Sequence, residues 1–206
     1  MSEPVIFTIG HSTHEPGTFV DLLRSHSVNC VIDVRSVPFS ARAPQFSKEA
    51  LRGYLAGKNI TYLHFPRAFG ARQKDPDLLD ETGRVDFEKV RRSHNFREGI
   101  DKLRDALARG FSIALMCSEA NPLDCHRFTM ISYQLVREGL FVRHILKTGQ
   151  LIGNDELEKL LVEKYMKKAH ERSLFEEGSN AETPLEMAYK LRNKEIGFLA
   201  SELVWK

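Results

Sequence analysis

The sequence has few cysteines and no long apolar segment. Only three of its 206 residues are cysteine, too few and too scattered for the disulfide framework of a small secreted domain. No run of about 18 apolar residues is present, so we expect no membrane span and no membrane partner. The residues from Met1 to Pro4 lack the basic and apolar parts of a signal peptide, which predicts a cytoplasmic protein.

The composition is that of a folded domain. Hydrophobic residues make up 42% and charged residues 28% of the chain, which argues against disorder as its main state. A chain of this length buries a core without disulfides or a structural metal. We expect an α/β domain with an anion-binding cleft over residues 1–150. A helical C-terminal extension over residues 151–206 is expected to pack on it, with residues 176–183 as a connection and Trp205 docking the tail.

Positive charge is concentrated in one part of the chain. The net charge is only +2, but eight basic residues and one acidic residue lie between Arg35 and Lys74, which gives that segment +7. A local positive field is a reason to expect an anionic ligand, a small molecule or a nucleic acid. The alternative interpretation is an ordinary solvated basic face.

Apolar, β-branched runs alternate with amphipathic segments along the chain. The runs predict five strands, at residues 5–9, 30–34, 60–65, 111–116 and 141–146. The segments between them predict helices at residues 16–26, 47–56, 86–109 and 124–139. This alternation is typical of parallel strands joined by right-handed crossovers. The predicted fold class is α/β, a mostly parallel open sheet with helices on both faces, and a small or partial barrel is the second choice.

Polar residues follow four of the five predicted strands. His11 and Ser12 follow the first strand, Arg35 the second, Arg67 the third, and Cys117 and Glu119 the fourth. In open parallel sheets ligands bind beyond the carboxyl ends of the strands. We therefore expect these side chains to line one cleft.

The densest group of chemically active residues lies between Cys117 and Arg127. With Asp124 as the cap of a helix, Cys125, His126 and Arg127 would occupy its first turn, where free backbone N–H groups favour an anion. The helix dipole and the neighbouring cations would favour a thiolate at Cys125. A thiolate beside a histidine and an arginine has the parts of a nucleophile, a proton shuttle and an oxyanion clamp.

These positions give a provisional assignment of roles. Cys125 or Glu119 would act as nucleophile or acid and base, with His126 and His11 moving protons and Cys117 in the same cleft. The anionic part of the ligand would be held by arginines and a hydroxyl: Arg127, Arg35, Arg67 and Ser12. Asp33 could orient Arg35 through a charge-assisted pair.

Known thiol motifs do not fit this segment. No arginine lies six residues after either cysteine, and no Cys-x-x-Cys is present, which excludes a phosphatase-type loop and a thioredoxin-like motif. A metal site built from Cys117, Cys125, His126 and a histidine of the loop after the first strand is geometrically conceivable, but the spacing of the two cysteines is not a recurrent zinc spacing, and no metal ligand is assigned. A disulfide between Cys117 and Cys125 remains open.

Several segments together resemble the domain of unknown function 488 family. Thr8 to Ser12, Asp33 to Arg35, Phe69-Gly70 and the stretch from Cys117 to Arg127 carry the resemblance, and the tail from Ala188 to Ile196 is also similar. The resemblance implies an α/β cytoplasmic protein of bacteria or archaea. It implies no particular reaction.

The leading hypothesis is an enzyme, a transferase or hydrolase, that acts on a phosphate-bearing ligand, a nucleotide or nucleic acid. The alternative is a non-catalytic module that binds nucleic acid, senses redox state or binds a metal. The sequence names no cofactor. The charged C-terminal helices could mediate a homodimer.

Overall fold

A six-stranded sheet forms the centre of the protein. The structure, a computed structural model, describes residues 4–173 and 182–203; Trp205 and all but the last two residues of the predicted connection lie outside them. The strands are β1 (Val5–Gly10), β2 (Cys30–Asp33), β3 (Thr61–His64), β4 (Ile113–Cys117), β5 (Phe141–Ile145) and β6 (Leu151–Gly153). Their order is β3-β2-β4-β1-β5-β6.

The first five strands are parallel, as predicted. Register pairs place Asp33 of β2 beside Met116 of β4, and Gly10 of β1 beside Cys117. The sixth strand pairs with β5 in the antiparallel direction. It was not predicted, because a run of three residues is too short to show a hydrophobic periodicity. The sheet has two edge strands, β3 and β6, so it is open and the barrel alternative is wrong.

Helices cover both faces of the sheet. The helices are α1 (Pro16–Ser25), α2 (Lys48–Ala56), α3 (Pro66–Phe69), α4 (Phe87–Arg92), α5 (His94–Ala108), α6 (Tyr133–Arg137), α7 (Asn154–Ser173) and α8 (Pro184–Ile196). Residues of α1 and α2 share one buried cluster with β2 and β4, and residues of α5 share another on the opposite face. Every residue of β2 and β4 is therefore buried, because apolar side chains pack against the sheet on each face.

The helix predicted over residues 86–109 is two helices. Ser93 has extended backbone angles, and its side chain accepts a hydrogen bond from the Phe96 N–H, so it ends α4 and caps α5. The apolar spacing runs through this break, which is why the sequence pattern did not reveal it. Ser47 is the residue before α2, and its buried hydroxyl has no hydrogen-bond partner.

The helix predicted to start at Asp124 starts later. Asp124 ends a short 3₁₀ turn, Pro122–Asp124, and Cys125 is extended. A π-helix, Arg127–Ser132, follows and continues directly into α6. Cys125 therefore precedes the helical segment instead of occupying its first turn. Single-turn π-helices are common at functional sites.

The C-terminal helices lie against the helical segment that follows Cys125. Phe128 shares a buried cluster with Tyr165 of α7 and Tyr189 of α8. Arg192 of α8 donates from Nε to the Leu123 carbonyl (2.8 Å) and forms an ion pair with Asp124. The segment from Cys117 to Arg127 is thus held between the sheet and α8. Among the described residues, no helix is long and apolar enough to cross a bilayer.

Candidate active site

The candidate site lies at the carboxyl ends of the three central strands. Beyond β4, the His11 N–H donates to the Cys117 carbonyl (2.8 Å) and the Ser12 N–H donates to the Ser118 carbonyl (2.9 Å). On the other side, the Val34 N–H donates to the Met116 carbonyl (3.0 Å). These bonds carry the parallel pairing past the strand ends and bring the loops after β1, β2 and β4 together.

Gly10 allows this close approach. A Cβ atom at Gly10 would lie 1.8 Å from the Glu119 carbonyl oxygen, far inside van der Waals contact. The residue that ends β1 must therefore be glycine if the loop after β4 is to keep its position. The same loop carries Cys117 and Glu119.

Two thiols, an imidazole and a carboxylate form the core of the site. The Cys117 thiol donates to Glu119 Oε2 (2.9 Å). The Sγ atoms of Cys117 and Cys125 both lie 3.8 Å from Nδ1 of His126. Cys117, Cys125 and His126 are all buried. The structure therefore brings together four of the five residues predicted as catalytic.

A backbone carbonyl fixes the orientation of the His126 ring. Nε2 of His126 donates to the Val34 carbonyl (3.2 Å), since a carbonyl only accepts. Nδ1 therefore faces the two sulfurs, and it carries a proton when the ring is an imidazolium. Burial lowers the pKa of His126, but attraction to the Cys125 thiolate outweighs it, and the net shift is upward.

The surroundings of Cys125 favour its thiolate. The Arg127 N–H donates to Cys125 Sγ (3.4 Å). Burial acts to raise the pKa of Cys125, but the Cys117 thiol and the charges of Arg127 and His126 outweigh it and place the pKa well below that of an ordinary cysteine. A lowered pKa is one condition for a reactive thiol, and access to the sulfur is the other.

The pKa values of Cys117 and Glu119 shift in the opposite direction to that of Cys125. The hydrogen bond to Cys125, burial and the negative charge of Glu119 raise the pKa of Cys117 well above the usual range. Burial and the charge of Cys125 raise the pKa of Glu119. The site thus pairs a thiolate at Cys125 with a protonated thiol at Cys117, which donates a hydrogen bond to the Glu119 carboxylate.

A cavity of about 160 Å³ adjoins Cys125 and His126. Its walls also include Glu119, Arg72 from the turn after α3, and Phe198 from the segment after α8. The Arg72 guanidinium lies over the Phe198 ring, 4.8 Å from its centroid. A volume of this size holds a molecule comparable to benzene, so a whole nucleotide does not fit inside it.

Arg35 belongs to a buried network beside the site. Its guanidinium donates to both carboxylate oxygens of Asp33 (2.9 and 2.6 Å) and to the Phe46 carbonyl (2.8 Å). Tyr62 donates to the same carboxylate (2.6 Å). Asp33 and Arg35 are paired as expected, and the guanidinium of Arg35 donates these hydrogen bonds to groups of the protein itself.

His11 is held neutral by that network. Nδ1 of His11 donates to the Ser12 carbonyl (2.9 Å), which leaves Nε2 to accept from Arg35 Nη1 (3.0 Å). Burial and the charge of Arg35 lower the pKa of His11 to about 4. With both ring nitrogens engaged, His11 is suited to positioning Arg35, and the predicted role in moving protons needs one of these bonds to break.

The predicted anion-binding residues are not arranged as one clamp. Arg127 is buried and donates to the carbonyls of Glu119 (2.6 Å) and Ala120 (3.0 Å), so it holds the loop after β4. Arg67 is exposed on α3, and Ser12 meets the site through its backbone. We therefore assign positioning roles to Arg35 and Arg127, while ligand binding by any of the four stays a prediction.

The same cluster contains a set of atoms that could hold a metal ion. Donor atoms of Cys117, Cys125 and His126 all lie within 4.8 Å of one another. Two thiolates and one imidazole form the protein ligand set of some catalytic zinc sites. Among the described residues, this is the one group that meets these distance conditions.

The sequence did not reveal that residues of the C-terminal segment line the cavity. Phe198 lies 73 positions after Cys125 in the chain, and no local pattern links the two. Arg72 was visible as a basic residue in a turn beside an aromatic residue, but its place at the cavity depends on Phe198. Such contacts come from packing between distant segments, which periodicity does not encode.

Comparison with known proteins identifies a family and nothing closer. A family model described as a domain of unknown function, DUF488, matches residues 15–134. The matched part includes Arg35, Cys117 and the segment from Cys125 to Arg127. No curated protein and no solved structure matches the chain. Because the model covers more than half of the sequence, the chain belongs to the DUF488 family.

Proposed function

We propose that this protein is an enzyme whose reactive group is the Cys125 thiolate. The observation that carries the proposal is the position of its sulfur, which lies 3.8 Å from His126 Nδ1, accepts the Arg127 N–H and belongs to a residue that lines a cavity. A nucleophile needs both a charge-stabilising partner and room for a substrate.

Each neighbour of Cys125 has a task in this proposal. His126, held by the Val34 carbonyl, stabilises the thiolate and supplies a proton to a leaving group. Glu119 serves as the second acid or base, at the cavity wall. Arg127 keeps the loop after β4 in place through the carbonyls of Glu119 and Ala120.

The proposed ligand is anionic. Arg72 lines the cavity and belongs to the strongly basic segment between Arg35 and Lys74. A nucleotide or nucleic acid would place only a small reacting part in the cavity, and its remaining phosphates would lie outside it. Transfer or hydrolysis at that part, through a covalent bond to Cys125, is the reaction class that we propose.

The test is the rate of alkylation of each cysteine by iodoacetamide at neutral pH, followed by peptide mass spectrometry, together with metal analysis of the purified protein. Cys30 is the internal control, because it is buried in the core and burial raises its pKa to about 11. We expect Cys125 to react much faster than Cys30. Equal rates, or a tightly bound metal on the cysteines, would contradict the proposal.

A further inference from the structure

We propose that Cys117 and Cys125 form a redox pair that reduces small anionic disulfides, with Cys125 attacking the substrate and Cys117 resolving the mixed disulfide. This inference rests on the proposed Cys125 thiolate and assigns it a further reaction, the reduction of a disulfide, which is distinct from the transfer or hydrolysis proposed above. It also gives a function to Cys117, which a single-cysteine mechanism leaves unused.

The geometry of the two sulfurs supports the pairing. The donor atoms of Cys117, Cys125 and His126 lie within 4.8 Å of one another, and the two sulfurs are equally far from His126 Nδ1. A disulfide requires a separation of about 2.05 Å, so the two sulfurs must move closer together for the bond to form. The imidazole is placed to interact with either sulfur in turn.

The two cysteines differ in the way that exchange requires. Cys125 is the one cysteine among the described residues that line the cavity, so its sulfur meets the substrate first. The Cys117 thiol donates to the Glu119 carboxylate (2.9 Å), which gives it a base. In thiol–disulfide exchange, one thiolate first attacks the substrate and forms a mixed disulfide. The second thiol then loses its proton and attacks that mixed disulfide.

The steps balance without a further oxidant. The Cys125 thiolate attacks a disulfide R–S–S–R, forms a mixed disulfide and releases one R–S⁻. Glu119 takes the proton of the Cys117 thiol, and the Cys117 sulfur attacks Cys125 Sγ and expels the second R–S⁻. Protons from His126 and Glu119 convert both leaving groups to thiols. The substrate gains two electrons, the protein dithiol loses two, and an external dithiol resets the pair.

The cavity limits the substrate by size and charge. Its volume of about 160 Å³ accommodates one arm of a small disulfide and excludes a folded protein's disulfide. Arg72 at the wall favours a carboxylate or phosphate on that arm, because Asp124 at the same wall is paired with Arg192. Dithiodiglycolate, which has a carboxylate on each arm, is therefore a suitable probe, and cystamine, with an amine on each arm, is its cationic counterpart.

The experiment mixes the reduced protein with a slight excess of dithiodiglycolate and follows the intact mass and the thiol released. For the wild type we expect two thiols released per chain, a mass lower by two hydrogens, and a Cys117–Cys125 cross-link in the peptide map. Cys117→Ser should release one thiol and retain a mixed disulfide on Cys125. Cys30→Ala is the matched control and should behave as the wild type does.

Other outcomes separate the two proposals. A stable mixed disulfide on wild-type Cys125 would overturn the redox pair but leave the reactive thiolate in place. Failure of Cys125 to react with either the disulfide or iodoacetamide would overturn both. If the Cys117→Ser variant does not fold, the cross-link in the wild type still decides.

The charge preference has its own test. The rate with dithiodiglycolate divided by the rate with cystamine should fall several-fold in Arg72→Gln, because the variant removes a cation from the cavity wall. An unchanged ratio would overturn the assignment of Arg72 to substrate recognition.

Discussion

At the scale of single residues, the charge state of the site depends on a few short contacts. Cys125 and Cys117 are both buried cysteines with different neighbours. The Cys125 sulfur accepts a hydrogen bond from the backbone N–H of Arg127, whereas the Cys117 thiol donates to the Glu119 carboxylate. The sequence allowed the prediction of a reactive Cys125, since its cationic neighbours follow it directly. The neutral state of His11 was not predictable, because its partner Arg35 lies 24 positions away.

Replacing His126 tests the source of the low pKa of Cys125. His126→Gln removes the positive charge next to the sulfur, so the pKa of Cys125 should rise and the pH at which its alkylation reaches half its maximal rate should move upward. His94→Gln, at an exposed position of α5, is the matched control and should leave that midpoint unchanged. An unchanged midpoint in His126→Gln would show that the imidazole does not stabilise the thiolate.

His11 links stability to pH. Its pKa is lowered to about 4 in the folded protein from 6.5, so the unfolded chain takes up the proton first as the pH falls, and the folded state loses stability between these two values. The free-energy advantage of the wild type over His11→Gln should therefore shrink by about 1.4 kcal/mol for each pH unit in this window. Urea unfolding at several pH values measures it, and a constant difference would contradict the assignment.

At the scale of secondary structure, the strands were predictable and the breaks in the helices were not. Five apolar runs predicted the five parallel strands, because a sheet covered on both faces needs side chains that are apolar on both sides. The breaks at Ser93 and Cys125 depend on hydrogen bonds that compete with the helix, and the apolar spacing continues across both. The second of these breaks places the Cys125 sulfur.

The contact between β1 and the loop after β4 gives a test at this scale. Gly10→Ala places a Cβ against the Glu119 carbonyl, so we expect a loss of about 3 kcal/mol or more in unfolding free energy and a slower reaction at Cys125. Gly53→Ala is the matched control, since nothing lies within 4 Å of its Cβ in α2. It should stabilise the protein by about 0.5–1 kcal/mol. Equal effects of the two substitutions would argue against the close approach.

At the scale of the whole molecule, the C-terminal segment completes the site. The N–H of Val85 donates to the Phe198 carbonyl (2.9 Å), and Arg192 is paired with Asp124 next to Cys125. These contacts place Phe198 at the cavity, although Cys117, Glu119, Cys125 and His126 of the candidate site all lie before residue 128. The sequence predicted a helical extension that packs on the α/β domain but contained no local signal for its contact with the cavity.

Shortening Phe198 should widen the entrance to Cys125. In Phe198→Ala, alkylation by a reagent bulkier than iodoacetamide should speed up several-fold, while alkylation by iodoacetamide changes little. Phe141→Ala, at an exposed position of β5, is the control for loss of an aromatic residue elsewhere. If both variants respond alike, the C-terminal segment does not restrict access.

The most direct test of the account is the pH dependence of Cys125 alkylation in the wild-type protein, with Cys30 followed in the same peptide digests. The account predicts that Cys125 still reacts rapidly well below the pH at which an ordinary thiol loses its proton, and that Cys30 stays slow throughout. A rate at Cys125 that rises only at alkaline pH, in parallel with Cys30, would contradict the presence of a stabilised thiolate.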